Sequence, residues 1–313
     1  MKICFAGAGA LGCSIGGTLS AGGNDVWLVD SNAAHVDAIR RNGLQMRTED
    51  GEKNVKVNAR TGFDDVGLAD LIIVLVKSFA TAEVIRSATP VIGPGTVVMS
   101  LQNGMGHEDI LIDAVGREMV MAGKTYVGGV YLGPGQVISG TRGKETVIGE
   151  LDGKITPRAE AIGAAFAKAG MICTLSENIM GTIWDKLLIN VATGAVSGIT
   201  RLEYGPLYGI PEIEETAIAA VAEAMAVAKA NGVEISYTDP RDPWIKASAG
   251  LPADFKTSML QSLEKNSPTE IDFINGAVVR HGKRAGVPTP VNRTLVAMIK
   301  GIEARMLQSP ARN

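Results

Sequence analysis

Aromatic residues are scarce in this 313-residue chain, at 4%. That scarcity excludes a stacking platform for nucleic-acid bases. A basic block is missing too. The formal net charge is -3, so nothing in the charge balance points to a polyanionic partner. The three cysteines, Cys4, Cys13 and Cys173, show no CxxC spacing and read as reduced, intracellular thiols. His35, His107 and His281 are far apart and lack ligand spacing, so no metal site is expected. The longest strongly apolar run, Leu71 to Val76, is too short to span a bilayer. At the N-terminus, Lys2 and the apolar-to-small run after it imitate a signal peptide. Glycines at a fixed spacing break that run, and a cytoplasmic chain is expected.

What is present suffices for a large core. Apolar residues make up 46% and charged residues 20%, and the length suggests two domains. The most informative stretch opens the chain. An apolar strand runs into Gly7-x-Gly9-x-x-Gly12, with Ala8, Ala10 and Leu11 between the glycines. Gly7 permits a tight turn out of the strand. Gly9 lets a pyrophosphate lie against the backbone. Gly12 lets the next helix pack close to the sheet with its amides aimed at phosphates. A second apolar segment, Val26 to Val29, ends in Asp30, where a ribose-binding carboxylate belongs. The pattern reads as a dinucleotide site.

Strands are expected at Lys2–Ala6, Asp25–Val29, Leu71–Lys77 and Thr96–Leu101, alternating with helices near Leu11–Ala21, Ala33–Asn42, Thr81–Thr89 and Glu108–Ala114. Such alternation implies a parallel sheet covered on both faces. Gly16 and Gly17 are unusual inside a helix unless it packs close to the sheet. Thr125–Tyr131, Gln136–Ser139 and Thr146–Ile148 read as antiparallel edge strands extending the same sheet. A helix near Pro157–Ala169 and a strand at Ile172–Leu175 complete a first domain, residues 1–177. Residues 178–313 read as all-helical, with a frayed tail over 308–313. The predicted fold class is therefore α/β: an N-terminal Rossmann-type doubly wound sheet and a C-terminal helical domain. An Ala-rich helical second domain is compatible with a homodimer without demanding one.

Open α/β sheets bind ligands at the carboxyl ends of their strands. Lys77 and Asn103 stand at two such ends. Each also has an ordinary explanation, as a solvated lysine and as the first residue of an Asn-Gly turn. Ile183 to Val191 is mostly apolar, but Lys186 and Asn190 share one helical face, and Thr193 and Gly194 continue it. This narrow polar stripe suggests a lined cleft; a lysine snorkelling to the surface is the alternative. Ser267-Pro268-Thr269-Glu270 has the form of a capping box, with Ser267 as cap and Pro268 at the first helical position.

Taken in order, these segments resemble the ketopantoate reductase family, the 2-dehydropantoate 2-reductases. The resemblance rests on Gly7 to Gly12, Val76-Lys77, Gln102-Asn103-Gly104-Met105-Gly106, Trp184-Asp185-Lys186-Leu187 with Asn190, Ser258-Met259-Leu260-Gln261, Pro268 to Asp272 with Ile274-Asn275-Gly276, and Gly286 to Pro290. It covers nearly the whole chain. It implies a Rossmann domain and a helical domain with the active site between them, and reduction of ketopantoate to (R)-pantoate by NAD(P)H. The family's essential lysine falls on Lys186 and its glutamate on Glu270. Its substrate-contacting asparagines match Asn103 and Asn190, and its carboxylate-binding serine matches Ser258. Cofactor contacts fall on Gly7, Ala8, Gly9, Ala10, Leu11, Gly12, Asp30, Lys77 and Asn103.

The implied chemistry follows from charge. Hydride reaching the ketone carbon leaves negative charge on oxygen, which a protonated Lys186 can stabilise and protonate. Free lysine titrates near ~10.4, so it starts protonated. Glu270 would anchor the substrate's terminal hydroxyl. The chain departs from the pattern twice. Gly194 replaces an asparagine that some members carry eight residues after the lysine. Asp30 stands where many members use an arginine for the NADPH 2′-phosphate, and a carboxylate there favours NADH. The alternative is a nearby cation, Lys77 or Arg40, serving the phosphate. Two other functions compete: a related dehydrogenase of another small 2-oxo or 2-hydroxy acid, and a nucleotide sensor without turnover.

Overall fold

The computed structural model describes residues 1–308; the expected fraying beyond Gln308 falls outside the described residues. The chain forms two compact units. One comprises Met1–Gln102 and His107–Ile179. The other comprises Asn103–Gly106 and the residues from Met180 onward.

In the first unit the elements run β1 (Lys2–Ala6), α1 (Ala10–Ala21), β2 (Asp25–Val29), α2 (Ala33–Asn42), β3 (Leu44–Thr48), β4 (Gly51–Val55), β5 (Asn58–Arg60), β6 (Leu71–Val74), α3 (Thr81–Ser87), β7 (Val97–Ser100) and α4 (His107–Val115). Then follow β8 (Val120–Thr125), β9 (Gly128–Gly133), β10 (Gln136–Gly140), β11 (Glu145–Glu150), α5 (Pro157–Lys168) and β12 (Ile172–Leu175). The main sheet has the order β12-β11-β8-β7-β6-β1-β2-β5. All its pairs are parallel except β11 with β8. Strand order reverses beside β1, which opens a crevice at the carboxyl ends of β1 and β6.

Alternation along each strand builds two cores. Ile3 and Phe5 of β1 join Leu28, Ile73 and Met99 beneath Ile15 of α1 and Phe166 of α5. Cys4 and Ala6 point the other way, with Ile72, Val74 and Val98, beneath Ile85 of α3 and Leu111 of α4. Truncating a buried anchor such as Phe5 to alanine costs about 3–5 kcal/mol.

A second sheet, ordered β4-β3-β10-β9, corrects the expectation that residues 125–148 only extend the first. The chain leaves the main sheet at Thr125 and pairs again from Gly128. Only β11 returns to the main sheet, antiparallel to β8. The hairpin β3–β4 was not expected: β3 offers only Leu44 and Met46 as an alternating apolar pair, and β4 is exposed up to Val55. Its place explains the glycines of α1. A Cβ on Gly16 would stand 2.7 Å from Leu28 of the main sheet, and one on Gly17 2.3 Å from Met46 of the small sheet. The helix is squeezed between the two sheets. The strand expected over Leu71–Lys77 stops at Val74, level with Ala6 where its partner β1 ends.

The second unit holds α6 (Ile179–Thr200, whose first residue groups with the other unit), α7 (Tyr204–Leu207), α8 (Pro211–Ala230), α9 (Arg241–Ser248), α10 (Ser258–Glu264), α11 (Asn275–Ala285) and α12 (Pro290–Gln308). Alanines 217, 220 and 224 with Val221 and Val227 form the buried face of α8. Glu223 at its side accepts the Val291 and Asn292 amides at 2.8 and 3.0 Å. A carboxylate thus meets the positive N-terminal end of α12. No described helix is long and apolar enough to cross a membrane.

The capping box at Ser267 is absent. Residues 268–270 are not helical; a 3-10 turn spans Ile271–Phe273 and α11 starts at Asn275. Thr269 explains this: its amide and hydroxyl both donate to Glu303 of α12 at 2.7 Å. The tertiary anchor holds the segment away from helical geometry. Glu270 precedes the 3-10 turn, and its side chain caps nothing there.

Candidate active site

The glycine-rich turn is built as the spacing requires. Gly7 has φ +109°, and a Cβ on it would lie 2.7 Å from the Val76 amide. A Cβ on Gly12 would lie 2.1 Å from the Gly7 carbonyl oxygen, so no larger residue closes this turn. Over Gly9 a Cβ would meet nothing within 4 Å. The backbone there is open to a ligand, and the residues fit a dinucleotide's pyrophosphate.

Asp30 follows β2. Its Oδ2 accepts the Ala8 amide at 2.9 Å and its Oδ1 accepts the Asn32 amide at 2.9 Å. With Gly7 it borders a cleft of about 450 Å³ whose other walls include Thr61 to Asp64, Val76 and Glu83. Among the described residues the lining holds three carboxylates, Asp30, Asp64 and Glu83, and neither lysine nor arginine. Lys77 is exposed, just before the 3-10 turn Ser78–Ala80, and does not line the cleft. Arg40 is also exposed and lies 3.9 Å from Asp37 on its own helix.

The end of β7 is fixed through Gln102. Its amide donates to the Val76 carbonyl at 2.7 Å and to Thr81 at 2.9 Å, while Ser100 donates to its oxygen at 2.9 Å. The next residue, Asn103, belongs to the second unit. There Lys186 Nζ donates to Asn103 Oδ1 at 2.7 Å.

Lys186 is half-buried on a helix whose neighbours Trp184, Leu187, Leu188 and Val191 are buried. The same loop continues through Gly104, φ +94°, where a Cβ would strike the Phe273 carbonyl at 2.4 Å. One residue on, the Met105 amide donates to that carbonyl at 2.8 Å. Two hydrogen bonds therefore join Lys186, the Asn103 loop and the turn that follows Glu270. Asn190, half-buried, lies one turn beyond Lys186 on α6. Ser258 is exposed at the start of α10. The following residue, Met259, packs beside Gly194 and Gly198 of α6.

Sequence reading missed Gln102 as an anchor and His35 as a buried group. Gln102 stands inside the quoted motif, but two of its partners, Val76 and Thr81, come from segments more than 20 residues away. His35 carries no local signal.

The fold and the glycine turn place the chain among the Rossmann-type dinucleotide-binding proteins. The family profile described as ketopantoate reductase PanE/ApbA matches residues 3–153, and its C-terminal counterpart matches residues 178–303. The chain belongs to the ketopantoate reductase family, whose members are nicotinamide-dependent reductases. A 2-dehydropantoate 2-reductase of Halobacterium salinarum is 32% identical over 304 residues, 96% of this chain and 98% of that protein. A PanE/ApbA family ketopantoate reductase of Ralstonia eutropha superposes with a TM-score of 0.89 at 35% identity, covering 98% of this chain and all of that one. D-mandelate dehydrogenase in complex with NADH and anilino(oxo)acetate superposes with a TM-score of 0.88 at 28% identity, over 98% of this chain and 100% of the other.

Proposed function

We propose that this chain is a 2-dehydropantoate 2-reductase, reducing the 2-oxo group of ketopantoate to (R)-pantoate. The single observation that carries the reading is the Lys186–Asn103 hydrogen bond. It fixes the ammonium group of a mostly apolar helix against a loop that is also tied to the turn after Glu270. In this reading residues 1–177 bind the cofactor and residues 178–313 bind the substrate and supply the acid.

A bound nicotinamide supplies the hydride. Gly7 to Gly12 receive its diphosphate with backbone amides, and Asp30 accepts from a ribose hydroxyl. Lys186 stabilises the charge that grows on the ketone oxygen and delivers a proton to it. Asn103 orients the ammonium. Asn190 and Ser258 hold the substrate, Ser258 through its carboxylate. Glu270, just before the 3-10 turn, accepts from the substrate's hydroxyl.

NADH is the preferred cofactor. Three carboxylates border the cleft at Asp30, and a 2′-phosphate there would meet like charge. The NADH complexes of D-mandelate dehydrogenase support the same choice. A cytoplasmic location accords with three unpaired thiols.

A second reading has its own support. At Gly194 the stripe carries no polar side chain, and a Cβ there would face only Met259, at 3.6 Å. That favours a 2-oxo acid with an apolar side chain over one with a second polar group. Steady-state kinetics with ketopantoate and with branched and aromatic 2-oxo acids, each with NADH and NADPH, decides. The first reading expects the highest kcat/KM for ketopantoate with NADH. A higher value for an apolar 2-oxo acid selects the second, and a large NADPH preference overturns the role given to Asp30.

A further inference from the structure

His35 takes no part in the chemistry above, yet it is 1% exposed and its ring joins three elements. From the turn between β9 and β10, the Gly135 amide donates to Nδ1 at 2.9 Å. That bond uses the Nδ1 lone pair, so the neutral ring carries its proton on Nε2. Nε2 lies 2.9 Å from the Ala8 carbonyl oxygen and donates to it. The Cys13 thiol of α1 donates to the same oxygen at 3.0 Å. Burial, with a smaller contribution from Asp30, pushes this thiol up to about 12, so it stays protonated and remains a donor. The amide of Ala8 is held on the other side by Asp30 Oδ2.

A trans peptide points its carbonyl and its N–H in opposite directions. The Ala8 carbonyl is drawn toward His35 and Cys13. The N–H of the same peptide belongs to Gly9, and it is turned away from them. Gly9 is the residue whose Cβ direction is open.

We propose that neutral His35 is a positioning residue for the phosphate-binding turn: by holding the Ala8 carbonyl it aims the Gly9 amide at the cofactor's diphosphate, and it couples that aim to the β9–β10 turn of the second sheet. The proposal rests on the nicotinamide-dependent reading. It assigns the small sheet a task, because Gly135 orients the ring that orients the loop. Tyr131 of β9, with its ring centroid 5.2 Å from that of His35, covers the imidazole from the same sheet.

The test is direct NADH titration by fluorescence, without substrate, on the wild-type chain and on His35→Leu, His35→Gln and His35→Asn, with thermal melts to confirm folding. The glutamine amide can donate to Ala8 and accept from Gly135; the shorter asparagine can serve only one of them. His35→Leu is expected to weaken NADH about tenfold or more, the equivalent of one lost buried hydrogen bond. His35→Gln should stay within about threefold and His35→Asn should fall between them. In turnover, KM for NADH should rise while kcat at saturating NADH holds. If His35→Leu does not fold, the glutamine–asparagine pair decides, and equal affinities for the two overturn the proposal. A folded His35→Leu that binds NADH like wild type also overturns it. So does a fall in kcat without a rise in KM. A wild-type chain that binds neither NADH nor NADPH overturns the cofactor reading itself, a different result from unchanged variants.

Discussion

The two units solve the problem of holding a ligand differently. In the first, the candidate groups come from one short stretch, Gly7 to Gly12 with Asp30, and most of them are backbone amides placed by a turn that only glycine closes. In the second, they are side chains from separate segments: Asn103 from a loop, Lys186 and Asn190 from α6, Ser258 from α10 and Glu270 from the turn before α11. Backbone sites follow from local geometry. Side-chain sites wait on tertiary structure to assemble them. A division of labour follows: changes in the first unit should act on cofactor affinity, and changes in the second on the chemical step or the substrate.

Lys186→Ala tests that division hardest. Loss of a positioned general acid typically costs about 10²–10⁴ in rate. The variant should lose kcat on that scale while its NADH dissociation constant, measured by fluorescence titration, stays within about twofold, because no cofactor contact is removed. A parallel loss of NADH affinity would break the comparison between the units. Unchanged turnover would remove Lys186 from the mechanism.

The contrast was also visible in what the sequence made legible. The strands β1 and β2, the helix α2 and the strand β12 match the expected limits, because apolar alternation and glycine punctuation act within a few residues. The glycine turn was readable for the same reason. The second sheet was not. Its strand β3 gains its place from pairing with β10, about 90 residues later, and β4 joins only through β3. The capping box at Ser267 failed similarly, since Glu303 from α12 competes for Thr269. Lys186 and Asn190 stood out as a stripe, but the bond to Asn103 spans 83 residues and has no local signal. Family motifs supplied the side-chain candidates that periodicity could not.

A second test asks whether charge in the first unit is structural. Glu150 is 5% exposed, and Arg158 binds both its oxygens at 2.6 Å while Thr156 donates to Oε1 at 2.6 Å. Burial works against the charge, but the Arg158 and Thr156 hydrogen bonds outweigh it and hold the carboxyl below its usual range. With a folded pKa below the unfolded one, this contribution is fully present above the unfolded value near 4.5 and is lost as pH falls through the folded one. Arg158→Leu should cost about 2 kcal/mol at neutral pH by urea unfolding, since it strands a buried carboxylate while the lost guanidinium was itself half-exposed. It should also reverse the pH dependence: burial alone raises the Glu150 pKa, so the variant should gain stability relative to wild type on acidification. Melts between pH 4 and 7 check the sign, and KM for both substrates should not move.

The smallest effect sharpens the comparison most, because it separates fold from pocket within one helix. Gly194 and Gly198 both lie inside α6. A Cβ at Gly194 meets only Met259 at 3.6 Å, an ordinary contact, whereas one at Gly198 meets Ile299, Leu263 and Met259 at 3.1–3.3 Å. Alanine in place of a helix-interior glycine contributes roughly 0.5–1 kcal/mol where space allows. Gly194→Ala should therefore raise the melting temperature, and Gly198→Ala should gain less or lose stability as its neighbours shift. A glycine that costs stability without a packing need is retained for another reason, and Gly194 continues the stripe of Lys186 and Asn190. If that reason is room for substrate, Gly194→Ala should raise KM for the bulkiest 2-oxo acid accepted and leave KM for NADH unchanged. A more stable variant with every KM unchanged would detach Gly194 from the pocket and leave the stripe ending at Asn190.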